Sequence, residues 1–252
     1  MREQLLANPI FAAASPDAFA RLLEHAELRS YERGATVLAD GDPAAELFAL
    51  VEGAVRVFHA APNGDEVVLK LFRPPAIFGE SESLCGVPFI ENVCALEPSR
   101  AVVFPIAAIV RFLEESPRAS VLMLVDVTRR LVVSAYNEKS LAFHPVTVRL
   151  ANHLLDHIEW ASTAPDATPF ISLNQDQMAT AIGATRRSVA KDMIGWQDEG
   201  ILAKEGAGYR VRDLAALSRY ADPQRLALTH RIAESRADGF FGTSFVTGAT
   251  KK

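Results

Sequence analysis

The 252-residue chain has only two cysteines, Cys85 and Cys94, and no long apolar run. Two thiols are too few for a four-cysteine zinc or iron–sulfur site and for the disulfide framework of a small secreted domain. The best apolar candidate, residues 101–113, contains Pro105 and Arg111, and it falls short of the ~20 residues that a membrane span needs. We therefore expect a cytoplasmic protein in a reducing compartment, with no membrane segment and no iron–sulfur cluster.

The opening residues have some character of a secretory leader. However, Asn8-Pro9 interrupts the apolar stretch, and Ser15-Pro16 is typical of a helix N-cap followed by Pro at the first helical position. We interpret this stretch as part of the fold.

The chain also lacks the short motifs of common enzymes. It has no nucleophile elbow and no Gly-rich phosphate loop. His153 and His157 share a helical face, but Leu154 replaces the Glu of the zinc protease motif, and His59 lacks the second His and the Glu of a cupin-type metal site. The sequence predicts a protein that is not an enzyme, with a metal-dependent cupin-like enzyme as a remote alternative.

The formal net charge of −5 is unevenly distributed. Residues 1–110 carry 8 basic and 15 acidic side chains, whereas residues 171–222 carry 7 of each. The acidic total therefore does not argue against a nucleic-acid partner for the second half of the chain.

Short apolar runs separated by turn signals dominate the first 110 residues. Turns are indicated at Gly41-Asp42-Pro43, Gly53, Asn63-Gly64 and Gly79, and strands at 46–51, 54–59, 66–72 and 99–104. This spacing predicts a β-sandwich or barrel.

The pattern changes to helix between residues 111 and 143. Steps of four and three residues indicate a seam of the kind that packs against a second helix. Its members are Ser120, Leu124, Val127, Leu131, Ser134, Glu138 and Leu141. We interpret this seam as a dimer interface, with a monomeric packed helix as the alternative, and place the domain boundary near 143–145.

After a further helix over 145–160 and a loop, the chain has the pattern helix, turn, helix, hairpin. Asn174 is a candidate N-cap for a helix over 175–182, Gly183 supplies the turn, and Thr185 caps a second helix. Two runs, 201–204 and 209–211, predict a two-stranded wing.

The first turns of the second helix carry Arg186, Arg187 and Lys191 with no acid before Asp192. Arg can donate two parallel hydrogen bonds to guanine, and Lys or Ser can hold phosphate, so this helix is suited to a major groove. The alternative is a solvated cationic face. The predicted DNA-binding residues are Asn174, Gln175, Thr185, Arg186, Arg187, Ser188 and Lys191.

Motifs along residues 5–220 resemble the Crp/Fnr family of bacterial transcription regulators. They include Gly41-Asp42-Pro43, Glu52-Gly53-Ala54-Val55, Phe78-Gly79-Glu80, Arg129-Arg130-Leu131 and Gly183-Ala184-Thr185-Arg186-Arg187-Ser188-Val189. The resemblance implies an α+β protein with an N-terminal double-stranded β-roll sensor domain of the cyclic-nucleotide-binding type, a long dimerisation helix and a C-terminal winged helix-turn-helix domain. It also implies a homodimer on a palindromic operator in double-stranded DNA, with RNA polymerase as a further partner.

Carried over residue by residue, Arg186 matches the family's base-reading Arg, Ser188 its Thr or Ser, and Lys191 its second Arg. Arg187 departs from the usual Glu, which accepts from cytosine, so we expect a different half-site preference.

The residues at the effector pocket depart further from the family's pattern. Phe78, Gly79 and Glu80 match the start of the phosphate-binding cassette and Ser134 a ligand-reaching hydroxyl, but Ala135 replaces the next hydroxyl. Glu91 and Asn92 stand where cyclic-nucleotide binders carry Arg and Ser or Thr. At about 4 Å and a dielectric near 20, exchanging attraction for repulsion changes the phosphate energy by up to about 8 kcal/mol, as much as a micromolar ligand gains in total. Orthodox cyclic AMP recognition is therefore not expected.

What replaces cyclic AMP is open at the level of sequence. Cys85 and Cys94 flank the cassette as redox candidates, with buried structural thiols the commoner case. His25 or His59 could be an axial ligand of a haem iron, and a regulator with no effector also fits.

The predicted organisation is a sensor domain over 1–110, a dimerisation helix over 111–143, a DNA-binding domain over 144–222 and a C-terminal extension over 223–252. The alternative function is a cyclic-nucleotide-dependent regulator with a rearranged pocket.

Overall fold

The structure, a computed structural model, describes residues 1–60, 66–161, 169–171, 173–206 and 208–227. The chain forms two compact units, of which the first ends at Val127 and the second begins at Thr128. The predicted hairpin turn at Asn63-Gly64 and the tail from residue 228 lie outside the described residues.

The first unit starts with three short helices, α1 (Arg2–Leu6), α2 (Pro9–Ala12) and α3 (Pro16–Leu23). The Ser15 side chain accepts a hydrogen bond from the Ala18 amide at 3.2 Å, with Pro16 at the first helical position. The Asn8 side chain caps α2 in the same way through the Ile10 amide at 2.9 Å. The residues that resemble a leader therefore form capped helices.

Eight strands follow in the described part of the first unit. Four of them, over 46–52, 55–60, 66–72 and 99–105, have bounds close to those expected from the turn signals, and the other four were not predicted. The eight strands are β1 (Glu27–Tyr31), β2 (Thr36–Leu38), β3 (Glu46–Glu52), β4 (Val55–Ala60), β5 (Glu66–Phe72), β6 (Ile77–Phe78), β7 (Asn92–Ala95) and β8 (Ser99–Pro105). They form two four-stranded antiparallel sheets, β1-β8-β3-β6 and β2-β7-β4-β5. The expected β-roll is confirmed.

Strand β3 connects two cores because successive side chains point to opposite faces. Leu47, Ala49 and Val51 join the apolar cluster beneath the helices, and Phe48 and Leu50 join a second cluster that includes residues of both sheets. A strand buried on both faces reads as a continuous apolar run, as this one does.

Three helices complete the first unit and lead out of it: α4 (Glu80–Cys85), α5 (Ile106–Glu115) and α6 (Pro117–Phe143). The helix predicted over 111–143 includes parts of two helices, since α5 ends at Glu115 and α6 begins at Pro117. The predicted start of the long helix is therefore wrong. Ser116 has φ −132° and ψ 75°, because Pro117 disfavours a helical residue before it. Ile109 and Phe112 of α5 are buried in the first core, and the long helix begins at Pro117.

The second unit continues from α6 with α7 (Val146–Ala161), β9 (Phe170–Ile171), α8 (Gln175–Ala181), α9 (Arg186–Asp198), β10 (Leu202–Glu205), β11 (Gly208–Val211) and α10 (Leu214–Ser218). The sheet order is β10-β11-β9, all antiparallel. The predicted helix-turn-helix and wing are confirmed, with each boundary within a few residues of its expected place. Helices α6 and α7 are separated near residues 143–145, where the domain boundary was expected, whereas the two compact units divide within α6, between Val127 and Thr128.

Candidate nucleic-acid interface and sensor pocket

Local hydrogen bonds fix the start of each helix in the helix-turn-helix. The Asn174 Oδ1 accepts from the Gln177 amide at 2.9 Å, and the Gln177 side chain accepts from the Asn174 amide at 3.0 Å, which closes a capping box on α8. Thr185 caps α9, since its hydroxyl oxygen accepts from the Ser188 amide at 3.2 Å.

The turn between these helices requires a residue without a side chain. Gly183 has φ +60°, and a Cβ built there would lie 3.3 Å from Leu141 Cδ2 of α6. After the turn, the Ala184 amide donates to the Ala179 carbonyl at 2.9 Å. Behind it, Val189, Met193 and Trp196 lie along one face of α9 and are buried, so the opposite face of α9 points outward.

That outward face carries the predicted DNA-reading residues. Arg186, Arg187 and Lys191 are exposed, and the Arg186 side chain keeps 69% of its surface accessible. Ser188 is half-buried, and its hydroxyl lies 2.9 Å from that of Thr185. Three cations within two turns of an exposed helix form a surface suited to phosphates and base edges.

Gln175 makes a contact that the sequence did not reveal. Its side-chain amide donates to the Tyr209 hydroxyl of β11 at 3.0 Å, a partly buried contact. Gln175 thus joins α8 to the wing, and the acceptor oxygen of Asn174 is used by the helix cap. Both remain predicted DNA contacts, and each also makes a hydrogen bond within the second unit.

Sequence reasoning missed one charged neighbour of this surface. Asp176, the second residue of α8, lies with its Oδ2 3.4 Å from the Arg186 Nη1. The two residues are ten positions apart on different helices, so no periodicity within one helix could have revealed the pair.

The wing carries two cationic side chains that were not among the predicted DNA-binding residues. Lys204 Nζ lies 5.3 Å from the centre of the Tyr209 ring, and the Arg210 guanidinium lies 5.8 Å from that of Phe170. Arg210 also pairs with Glu205 across the hairpin, which raises the pKa of Arg210 and lowers that of Glu205.

Helix α6 exposes the apolar residues of its predicted seam. Leu124, Leu131 and Leu141 keep 65%, 67% and 52% of their surface accessible, and Ser134 is also exposed. Val127 is only partly exposed and packs against the first core. A long helix with large exposed leucines on one seam is typical of an interface that is completed by another chain.

The predicted cassette begins at a left-handed glycine. Gly79 has φ +80°, and a Cβ there would lie 3.0 Å from the Phe48 ring. Glu80, the first residue of α4, is fully buried and accepts from the Ser81 hydroxyl at 2.7 Å. Phe78 stacks on Phe48 at 5.2 Å and belongs to the core.

The remainder of the cassette is acidic. Glu91 lies 4.0 Å from Lys70 Nζ on β5, and the Asn92 side chain accepts from the Asp40 amide at 3.1 Å. Burial raises the pKa of Glu82, and the charges of Glu91 and Glu80 raise it further, whereas Lys70 lowers it. The carboxylates therefore already repel one another without any ligand.

The two thiols differ in environment. Cys94 is buried, with its sulfur 2.9 Å from the Arg56 Nε, whereas Cys85 is exposed. The interpretation as a buried structural thiol therefore fits Cys94 but not Cys85. His25 and His59 are exposed. Within the described residues no group of three or more His, Cys, Asp or Glu side chains could hold a metal ion, and no helix there is long and apolar enough to cross a membrane.

A short segment after α10 contacts helices α6 and α7. Arg225 is buried, and its Nη2 lies 2.6 Å from both carboxylate oxygens of Asp156 on α7. The His144 Nε2 lies 3.6 Å from Asp222 Oδ2, and Lys139 donates to Gln224 at 3.0 Å. Residues 222–227, here called the strap, thus hold the end of α6 against α7 within the second unit.

Two family models match the chain. The cyclic nucleotide-binding domain matches residues 28–116, and the Crp-like helix-turn-helix domain matches residues 148–220. The two matches cover the β-roll and the helix-turn-helix with its wing, and the strap lies beyond the second match.

Several characterised proteins are similar over most of the chain. Transcriptional regulator LdrP of Thermus thermophilus is 30% identical over 201 residues, 77% of this chain and 96% of that protein. The CRP-like cAMP-activated global transcriptional regulator of Mycobacterium tuberculosis is 28% identical over 223 residues, 88% of this chain and 100% of that protein. The solved structure of the c-di-GMP responsive global regulator CLP of Xanthomonas campestris superposes with a TM-score of 0.64 at 20% identity, covering 79% of this chain and 100% of that one. These domains and relatives belong to transcription regulators and not to enzymes.

Proposed function

The chain belongs to the Crp/Fnr family of DNA-binding transcription regulators, and from this premise we propose that it acts as a homodimer on a palindromic operator. The observation that carries the proposal is the exposed cationic tip of α9, where Arg186, Arg187 and Lys191 face outward. In a dimer the two α9 helices would enter successive major grooves about 34 Å apart. The exposed leucines of α6 would form the interface.

The finer assignments belong to the same proposal. Residues 1–110 would be the sensor domain, residues 144–222 the DNA-binding domain, and the long helix, which starts at Pro117, would join the subunits. RNA polymerase would be a further partner, and the cytoplasm the place of action. Whatever occupies the roll near Glu80 and Glu91 would act by biasing the two seam helices.

Arg186→Ala tests the DNA-binding assignment. Selection of bound sequences from a random pool should yield a palindromic motif for the wild-type protein, and the variant should lose preference at one half-site position. A bidentate Arg contact discriminates by about 1–3 kcal/mol, so we expect a loss of about 5- to 150-fold at that position. Arg219→Ala removes the same charge from an exposed residue at the end of α10 and should leave the motif intact. An unchanged motif and affinity in Arg186→Ala would show that the recognition helix is wrongly assigned.

We further propose that the sensor domain does not use orthodox cyclic AMP recognition. Glu91 stands at the position of the phosphate-binding Arg, and the neighbouring Glu80 and Glu82 add negative charge. A phosphate in this cassette would meet carboxylates where relatives provide a guanidinium. The Lys70 ammonium lies 4.0 Å from Glu91, so the charge of Lys70 is already partly compensated by Glu91.

Calorimetric titration with cyclic AMP and cyclic GMP tests this second part. We expect no binding in the micromolar range for the wild-type protein. The double variant Glu91→Arg with Asn92→Ser restores the usual residue types and should gain measurable affinity for cyclic AMP. Micromolar binding of either nucleotide to the wild-type protein would instead support the alternative, a cyclic-nucleotide-dependent regulator with a rearranged pocket. The similarity to a cAMP-activated regulator of Mycobacterium tuberculosis favours that alternative.

A further inference from the structure

Asp176 is held in place beside the reading surface of α9. It is the second residue of α8 and lies within the capping box that Asn174 and Gln177 form. Its backbone carbonyl accepts from the Thr180 hydroxyl at 2.9 Å. Its carboxylate oxygen Oδ2 lies 3.4 Å from the Arg186 Nη1. Hydrogen bonds therefore position the backbone that carries this carboxylate, and the carboxylate lies beside one nitrogen of the guanidinium, Nη1.

A guanidinium held in this way keeps a second edge for another partner. Arg has five N–H donors in a planar fork, so one edge can face Asp176 while two parallel N–H groups point at guanine O6 and N7. In free solution the pair is weak, because the Arg186 and Asp176 side chains are 69% and 63% exposed. The contact strengthens when DNA displaces water, since the effective dielectric falls.

The same carboxylate opposes binding to DNA in general. A phosphate contact by Arg186 would draw its guanidinium away from Asp176 and leave a negative charge facing the DNA backbone. A base contact, by contrast, can keep the pair intact. The geometry therefore favours the arrangement in which Arg186 reads a base over the one in which it holds phosphate.

We propose that Asp176 is a positioning residue that orients Arg186 and thereby sharpens the choice among half-site sequences. This inference rests on the proposed base-reading role of Arg186. In this proposal, an acidic residue on the DNA-facing side increases specificity for the half-site and lowers the overall affinity for DNA.

The test is Asp176→Asn in the full-length protein, with binding measured by fluorescence anisotropy. Three DNA duplexes are compared: the selected operator, the operator changed at the base pair whose preference Arg186→Ala loses, and an unrelated sequence. We expect discrimination at that base pair to fall about two- to fivefold and binding to unrelated DNA to become tighter by a similar factor, the range that an exposed ion pair permits. Asp176→Glu should restore part of the discrimination.

The double variant Asp176→Asn with Arg186→Ala separates positioning from simple charge repulsion. It should show the same base preference as Arg186→Ala alone. Asp198→Asn, which removes an equal charge from the exposed last residue of α9, should leave the preference unchanged. Thermal unfolding of each variant checks that the fold is retained.

Two outcomes would overturn the proposal. One is full discrimination in Asp176→Asn. The other is an equal gain of affinity for every sequence that persists without Arg186, which would reduce Asp176 to a source of repulsion. A base preference that survives Arg186→Ala is a different result, because it contradicts the assignment of Arg186 itself.

Discussion

Leu131→Lys is expected to convert the proposed homodimer into monomers and to weaken operator binding at least about 100-fold. Leu131 is 67% exposed in the single chain and lies at the centre of the α6 seam. Burying a Leu side chain contributes about 1.5–3 kcal/mol, and in a symmetric dimer the residue occurs twice. The variant therefore loses about 3–6 kcal/mol of dimer stability, and two facing ammonium groups add repulsion.

Sedimentation equilibrium measures the first effect and fluorescence anisotropy with the selected operator the second. Both should change together, because one subunit alone reaches only one half-site. Leu131→Met keeps the apolar volume and should remain dimeric. Leu214→Lys places the same charge on an exposed Leu of α10 and should also remain dimeric. A dimer of undiminished stability in Leu131→Lys would show that α6 does not form the interface.

Arg225→Ala is expected to destabilise the second unit by about 2–3 kcal/mol. The variant leaves the Asp156 carboxylate without the two 2.6 Å contacts from Arg225. It also removes a guanidinium that lies 5.9 Å from the centre of the Tyr136 ring on α6. Breaking a fully buried pair costs about 3–5 kcal/mol; here Asp156 keeps 31% of its side chain exposed, and solvent reduces the effect.

Urea unfolding followed by tryptophan fluorescence measures this change selectively. Both tryptophans, Trp160 and Trp196, belong to the second unit, so the signal reports on that unit. Arg225→Lys keeps the charge but not the planar fork and should recover part of the loss. Arg212→Ala, at an exposed position, should change the midpoint little. An unaltered midpoint in Arg225→Ala would show that the strap is not a structural element.

Leu131 and Arg225, whose substitutions have the largest expected effects, differ in how well the sequence reveals their roles. The repeat of Leu124, Leu131 and Leu141 is visible as a seam because a helix places residues three and four apart on one face. Arg225 belongs to no pattern of this kind. Its partners lie 69 and 89 positions earlier in the chain, and only folding brings them together.

The predicted effector pocket also combines features that the sequence reveals with features that depend on the fold. The sign of the charge at residue 91 follows from the sequence and the family resemblance. The presence of Lys70 beside Glu91, and the burial of Glu80 on α4, depend on how the strands are arranged. Likewise, Phe78 matches the start of the cassette in sequence but is part of the core. Its strand β6 pairs with β3, and its ring stacks on Phe48.

The start of the long helix illustrates where pattern reasoning fails. Residues 106–143 are helical almost throughout, so periodicity alone merges α5 and α6. The break at Ser116 and Pro117 has a local cause, the restriction that proline imposes on the preceding residue. The sequence contains this signal, but burial of Ile109 and Phe112 in the first core is what assigns α5 to the sensor side.

By itself, the sequence determined features that depend on short-range geometry: four strands of the roll, the capped helices, the turn at Gly183, the seam of α6 and the basic tip of α9. These are set by alternation, helical spacing and backbone preferences within a few residues. Only the tertiary structure decided which distant side chains meet, as in Asp176 with Arg186, Gln175 with Tyr209 and Arg225 with Asp156. Such pairs depend on the relative placement of separate elements, and that placement results from packing of the whole core.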